Sequence, residues 1–268
     1  LNQFSMDEHN GNFRIATTTN EFRRGGQKNH LYVLDENLDI TGMVEDLAPG
    51  ERIYSARFLG DKAYVVTFRQ VDPLFVIDLS DANNPRVLDQ LKVPGYSNYL
   101  HPFDETHLIG FGKDADEKTG VFKGLKLSLF DVTDVERPIE LAKYDIGDRG
   151  SDSFALYDHK AFLFSRDKNL LVIPVLVAER NDGTEDFTYG NFVFQGAYVF
   201  DASLDGFELQ GKITHITDDS LEKSGYYYDS PFSVKRSLYI ENSLYTISDK
   251  KVVVHDLDTL EAIVSIDL

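Results

Sequence analysis

The chain has 268 residues, 27 Lys and Arg against 45 Asp and Glu, a formal net charge of −18, no Cys and no Trp. The absent cysteines exclude a disulfide-stapled scaffold and any thiolate zinc site, and so acidic a balance speaks against nucleic acid as a partner. An apolar share of 42%, with 12% aromatic, is enough to build a core and excludes a disordered chain.

The N-terminal stretch LNQFSMDEHN has neither the basic nor the apolar region of a signal peptide, and the chain starts without Met. It therefore reads as a mature or excised piece of something longer. From there on, helical periodicity is nearly absent. Apolar or aromatic runs of four to seven residues alternate with Gly, Asn, Asp and Pro, the pattern of an all-β chain.

The runs recur as a unit. One element ends in Asp: LYVLD at 31–35, LFVID at 74–78, LSLFD at 127–131, AYVFD at 197–201 and VVVHD at 252–256, with spacings of 43, 53, 70 and 55. Before each stands a second run: FRIAT at 13–17, AYVVT at 63–67, HLIGF at 107–111, AFLFS at 161–165 and LYTIS at 244–248. A further strand and a turn precede each of these, the turns being 7–11, 59–62, 103–106, 157–160 and 240–243. A fourth stretch follows each Asp, at 40–45, 86–93, 139–146, 207–216 and 261–268. Five units of four strands make a five-bladed β-propeller of antiparallel blades, a single domain with blades near 1–47, 48–94, 95–147, 148–217 and 218–268. Stacking buries both faces of each blade, which explains strands that are apolar nearly throughout. Pro85 and Pro138 fall at the start of fourth strands, the edges where a residue lacking N–H is tolerated.

In such a blade the second-to-third loops and the connections between blades emerge on one face. The long insertions 18–30, 112–124, 166–196 and 217–231 are all of these two kinds, so that face is expected to carry the binding surface. In unit 4, 169–176 and 191–196 read as a ribbon prolonging the second and third strands; an alternative register makes 170–177 the third strand. The longest apolar run, LLVIPVLVA at 170–178, falls short of the ~20 residues a spanning helix needs, so no membrane insertion is expected.

Candidate site residues lie mainly in these loops. Phe22, Phe187, Tyr189, Tyr226, Tyr227 and Tyr228 place aromatics beside polar groups, a composition suited to a protein or a sugar, or to packing down as loop anchors. Arg23 and Arg24 are the basic pair of that face and could hold a carboxylate or phosphate, or pair with nearby acids. Asp114, Asp116, Asp182 and Asp186 offer oxygen ligands of the kind calcium takes, although no run reproduces the D-x-[DN]-x-[DN]-G loop; solvated charge is the competing reading. No other cofactor is expected. The repeated Asp35, Asp78, Asp131, Asp201 and Asp256 read as caps of their own turns, because all five share one repeat position. His101 and His107 share a hairpin, but no third ligand accompanies them. A hydrolase would need two convergent carboxylates on innermost strands, where only Asp152 and Glu51 are in place, and no G-x-S-x-G elbow occurs.

The repeats LYVLDENLDITGMVEDLAPGERIYSARFLGDKAYVVTF and PLFVIDLSDANNPRVLDQLKVPGYSNYLHPFDETHLIGFG, continued by GLKLSLFDVTDVERPIEL and NLLVIPVLVAE, resemble the secreted β-propeller-domain proteins of archaea and bacteria. They also look like surface proteins bearing L-x-V-x-D repeats. The resemblance covers essentially the whole chain. It implies a longer exported parent and carries over no catalytic residues. The expectation is a secreted or cell-surface monomer that binds an extracellular protein or glycan. The alternatives are a carbohydrate-active hydrolase, or part of a larger ring completed by upstream sequence.

Overall fold

A computed structural model describes residues 2–21, 26–68, 72–181, 188–221, 223, 225 and 227–268. Among them there is no α-helix. Twenty strands form five four-stranded sheets, and in each the strands lie side by side in chain order. The first sheet holds β1 (Met6–His9), β2 (Asn12–Glu21), β3 (Gly26–Leu34) and β4 (Ile40–Leu47). The second holds β5 (Arg52–Leu59), β6 (Lys62–Phe68), β7 (Asp72–Asp78) and β8 (Arg86–Val93). The third has β9 (Tyr96–Pro102), β10 (His107–Ala115), β11 (Phe122–Asp131) and β12 (Ile139–Ile146). The fourth has β13 (Leu163–Ser165), β14 (Leu170–Glu179), β15 (Asn191–Ser203) and β16 (Gly206–Ile213), and the fifth β17 (Arg236–Ile240), β18 (Ser243–Ile247), β19 (Lys251–Asp256) and β20 (Ala262–Asp267). Five such sheets fit five blades.

The strands group into two compact units, Leu1–Val121 with Ser128–Leu141, and Phe122–Leu127 with Ala142–Leu268. In the first unit, the second sheet shows why its sequence lacks a polar face. Successive side chains of a strand point to opposite faces. Ala63, Val65, Phe75 and Ile77 pack against Ala16, Leu31 and Val33 of the first sheet. Their neighbours Tyr64, Val66, Leu74 and Val76 pack the other way, against Leu100, Leu108 and Phe130. In the second unit, Leu170, Val172, Ala197 and Val199 of the fourth sheet meet Val234 and Leu244.

Three sequence expectations are corrected. The stretch 7–11 is not all turn: β1 runs to His9, and the reversal is the pair Asn10–Gly11 alone, both at positive φ (51° and 75°). That is the tight two-residue hairpin an Asn-Gly pair favours. In unit 4, AFLFS is the first strand rather than the second. Leu163, Phe164 and Ser165 pair with Val172, Leu171 and Leu170, so NLLVIPVLVAE supplies the second strand itself instead of prolonging AFLFS or serving as the third strand, while 191–196 pairs with it and prolongs the third strand AYVFD within β15, as the ribbon reading expected. The physical reason is local capping. Ser153 and Asp158 cap two successive 3₁₀ turns, Phe154–Leu156 and His159–Ala161, where a hairpin turn was expected, and Asn169 in the left-handed region (φ 49°) closes the link from β13 to β14. The third correction concerns Asp201. It lies inside β15, which continues to Ser203, and it is Ser203 whose hydroxyl accepts the N–H of Asp205 in that turn.

Candidate binding site

The other four repeat aspartates do cap their turns. Asp35 accepts the N–H groups of Asn37 and Asp39 at 2.8 and 2.9 Å, Asp78 that of Ser80 at 3.0 Å, Asp131 that of Thr133 at 2.8 Å, and Asp256 those of Asp258 and Thr259 at 3.0 and 2.9 Å. Hydrogen bonds from Thr133 hold the Asp131 carboxyl below the usual carboxylate range. At Asp78, burial pushes upward but is outweighed by Ser80 and Arg86. These carboxylates are engaged in turn structure.

The calcium candidates fare differently. Asp116 accepts the N–H groups of Lys118 and Thr119 at 3.1 and 2.9 Å and so closes the 116–119 turn, while Asp114 is buried in β10. Among the described residues, no group of three or more His, Asp or Glu is placed to hold a metal ion. Asp182, Asp186, Phe22, Arg23, Arg24, Phe187 and Tyr226 lie outside the described residues.

Tyr227 and Tyr228 enter a cavity of about 240 Å³ within the second unit. One wall is the segment just before the fourth sheet, with Asp152, Phe154 and Tyr157; another is the edge of β14 and β15, at Leu176 and Gln195; Asp229 and Ser233 complete it. Each wall is pinned locally. Asp152 exchanges both backbone hydrogen bonds with Leu176 at 2.8 Å. The Ser153 hydroxyl donates to the carbonyl of Pro174 at 2.5 Å and accepts from the Ala155 N–H at 3.1 Å. The Gln195 amide, 3% exposed, donates to the Val234 carbonyl and accepts from the Val234 N–H, tying β15 to the 227–235 connection. The Tyr228 hydroxyl meets the Ser220 hydroxyl at 3.3 Å.

Against this framework some rings stand in solvent. Tyr157 is 77% and Tyr227 76% exposed, and Phe154 is 40% exposed. Large rings usually bury most of their area, so such an arrangement around a cavity is the kind that binds. The Tyr157 hydroxyl lies 3.4 Å from both carboxylate oxygens of Asp152. Burial, and then the Asp152 charge, push its pKa up, so it stays a neutral donor. Tyr189 is not among the cavity residues; it is half exposed, with the Arg149 guanidinium 4.6 Å from its ring centre. Sequence reasoning found the two tyrosines but missed Phe154 and Tyr157, because 157–160 was read as an ordinary hairpin turn. The Ser153 and Asp158 caps were the available signal.

Glu51 accepts the Thr67 hydroxyl at 2.6 Å. In the first unit, Arg57 donates to the Leu100 carbonyl at 2.9 and 2.7 Å and to the Tyr99 hydroxyl at 3.2 Å. That hydroxyl in turn meets His101 Nδ1 at 2.9 Å. Burial, and then the Arg57 charge, lower the His101 pKa to about 4.

The model of the β-propeller domain family matches residues 1–260. The chain is similar to an uncharacterized protein of Methanocaldococcus jannaschii, 37% identical over 100% of this chain and 36% of that protein. It is also similar to an uncharacterized protein of Archaeoglobus fulgidus, 34% identical over 98% of this chain and 34% of that one. It thus spans about a third of the length of these curated relatives. Among solved structures it is similar to apo AztD from Citrobacter koseri, with a TM-score of 0.53 and 15% identity over 98% of this chain and 59% of that one. It is similar, too, to a eukaryotic initiation factor structure, with a TM-score of 0.51 and 9% identity over 100% of this chain and 55% of that one. At these identities the likeness is one of fold.

Proposed function

The chain belongs to the β-propeller domain family, and from that premise we propose that it is a non-catalytic binding module of a protein exported to the cell surface or beyond. The fold supports a scaffold or binding role in general, since propellers set loops on a rigid framework. The observation that carries the reading is the cavity rimmed by exposed Tyr157 and Tyr227, on a backbone held by Ser153, Gln195 and Asp152. Its partner is an extracellular protein or glycan, taken up by the chain as a monomer. The export destination rests on the likeness of the repeats to secreted proteins.

The test is a screen of glycans and surface proteins against the folded chain, repeated with Tyr227→Ala and Tyr228→Ala. Loss of capture at an unchanged melting temperature supports the site. Undiminished capture by both variants refutes it.

A second reading, part of a larger propeller, has its own support. On the fifth sheet every residue of β20 is exposed, including Ile263, Val264 and Ile266, and Leu238 and Ile240 of β17 are exposed as well. An apolar surface of this kind is one that proteins usually cover. Small-angle scattering separates the readings: a closed compact particle supports five blades alone, and an open arc or an oligomer supports the larger ring.

A further inference from the structure

The chemistry of the cavity narrows what it binds, on the premise that it is the binding site described above. Among the described lining residues the charged side chains are both acidic, Asp152 and Asp229, and several of the polar ones are engaged in holding the walls. The side-chain amide of Gln195 is engaged at both ends by Val234, and the Ser153 hydroxyl gives its hydrogen to Pro174. The Tyr157 hydroxyl is directed at Asp152. Asp152 Oδ1 also accepts the Ser153 N–H at 2.9 Å, so its carboxylate is a charge fixed in the wall; with exposed Asp229 it stands beside the rings of Phe154, Tyr157 and Tyr227, and Ser233 also lines the cavity.

No basic side chain is among the described residues lining the cavity. Lys235, whose Nζ lies 5.7 Å from the centre of the Phe154 ring, is paired with Asp249 at 2.5 Å. The protein itself thus sets a cation over one of these rings. Carboxylates beside π-faces suit a positively charged ligand, since the ring quadrupole and the carboxylates attract the same sign.

We propose that this cavity binds an organic cation, an alkylammonium or guanidinium group, either free or on a peptide side chain. Asp152 and Asp229 supply the opposing charge, and Tyr157, Tyr227 and Phe154 supply the rings. The net charge of −18 works in the same direction, raising the local concentration of cations at low salt.

Calorimetric titration of the folded chain with N-acetyl-arginine amide and n-butylammonium, each against its neutral counterpart N-acetyl-citrulline amide and n-butanol, tests this. The charged member of a pair is expected to bind at least ~10-fold more tightly than the neutral one, and more weakly as salt rises. Asp229→Asn and Tyr227→Ala are each expected to weaken cation binding about tenfold with an unchanged melting temperature. Butylammonium binding as well as the arginine amide assigns the site to free cations, and preference for the arginine amide assigns it to peptides. Equal binding of charged and neutral members, or cation affinity untouched by both substitutions, overturns the proposal. Should uncharged glycans bind instead and be lost with Tyr227→Ala, the cation assignment falls while the binding-module reading stands. If nothing binds and the partner screen is also indifferent to Tyr227→Ala, both fall.

Discussion

Acid should loosen the fifth sheet through His215. The ring is 3% exposed, with Nδ1 3.1 Å from the Ser248 hydroxyl and Nε2 2.9 Å from the Thr246 hydroxyl. The Thr246 hydroxyl also lies 3.3 Å from Nε2 of His255, so it links the two imidazoles. Burial first, then the charges of Lys251 and His255, lower the His215 pKa to about 4 from an ordinary 6.5. A histidine depressed in the folded state contributes its full stability above pH 6.5, where it is neutral folded or unfolded. Between 6.5 and 4 the unfolded chain binds the proton and the folded one does not, so stability falls with pH across that window. The gap corresponds to about 3 kcal/mol at pH 4 and below. His215→Gln removes the titrating group. Its destabilisation, read from urea midpoints, should therefore shrink by up to about 3 kcal/mol between pH 7 and pH 4. NMR titration of the parent should find the His215 ring still neutral at pH 5. A pH-independent difference between parent and variant, or a ring titrating near 6.5 in the folded protein, refutes the reasoning.

Arg57→Gln should cost about 2–3 kcal/mol, because it removes two hydrogen bonds to the Leu100 carbonyl and a guanidinium 4.1 Å from the Phe4 ring centre. Since the Arg57 charge is part of what depresses His101, the same variant should raise the His101 pKa above about 4; an unmoved NMR titration would count against that link. Asp131→Ala should cost about 1 kcal/mol at pH 7 by leaving the Thr133 N–H uncapped. Because the Asp131 pKa is depressed, that cost should fade as pH drops below the ordinary carboxylate value of 3.8, and a cost that persists in strong acid would rule out the cap as its source. Gly95→Ala should destabilise by more than about 2 kcal/mol, since φ is +83° and a Cβ would stand 2.2 Å from the Lys113 carbonyl oxygen. Gly60→Ala, at φ +55° with nothing within 4 Å, should cost only about 1 kcal/mol, and equal midpoints for the two would refute the steric part of the argument.

What the sequence disclosed follows from which interactions repeat. The outer hairpins of the second and third sheets are built from a short apolar run, a closing Asp and a proline-led edge strand, all local features. Hence 86–93 and 139–146 were placed to the residue as β8 and β12. The failures came where a local competitor was stronger. At unit 4 the apolar run 170–178 outcompetes AFLFS for the central place, since it pairs along its whole length with β15 while β13 pairs over three residues. Asp201 occupies the repeat position without the repeat's role, because the strand runs two residues further and Ser203 meets the turn instead.

The cavity was only half legible for a different reason. Its aromatic residues come from the 217–231 connection, which stands out in composition, and from 152–157, which does not. Apart from the capping residue Ser153, the residue types of 152–157 do not distinguish a turn leading into a strand from a 3₁₀ turn packed on β14. The distinction is made by the Asp152–Leu176 bridge and the Ser153–Pro174 bond, contacts across more than twenty residues. Pro174 takes part because its carbonyl can accept even though it has no N–H to donate. The acidic character of the cavity arises in the same way: the structure engages Gln195 and Ser153 in holding the walls and brings the carboxylates of Asp152 and Asp229, which lie 77 positions apart in the sequence, to one cavity. The formal −18, which by itself only discourages anionic partners, thereby gains a local counterpart: two acids among rings at a single cavity, where charge and shape select a ligand together.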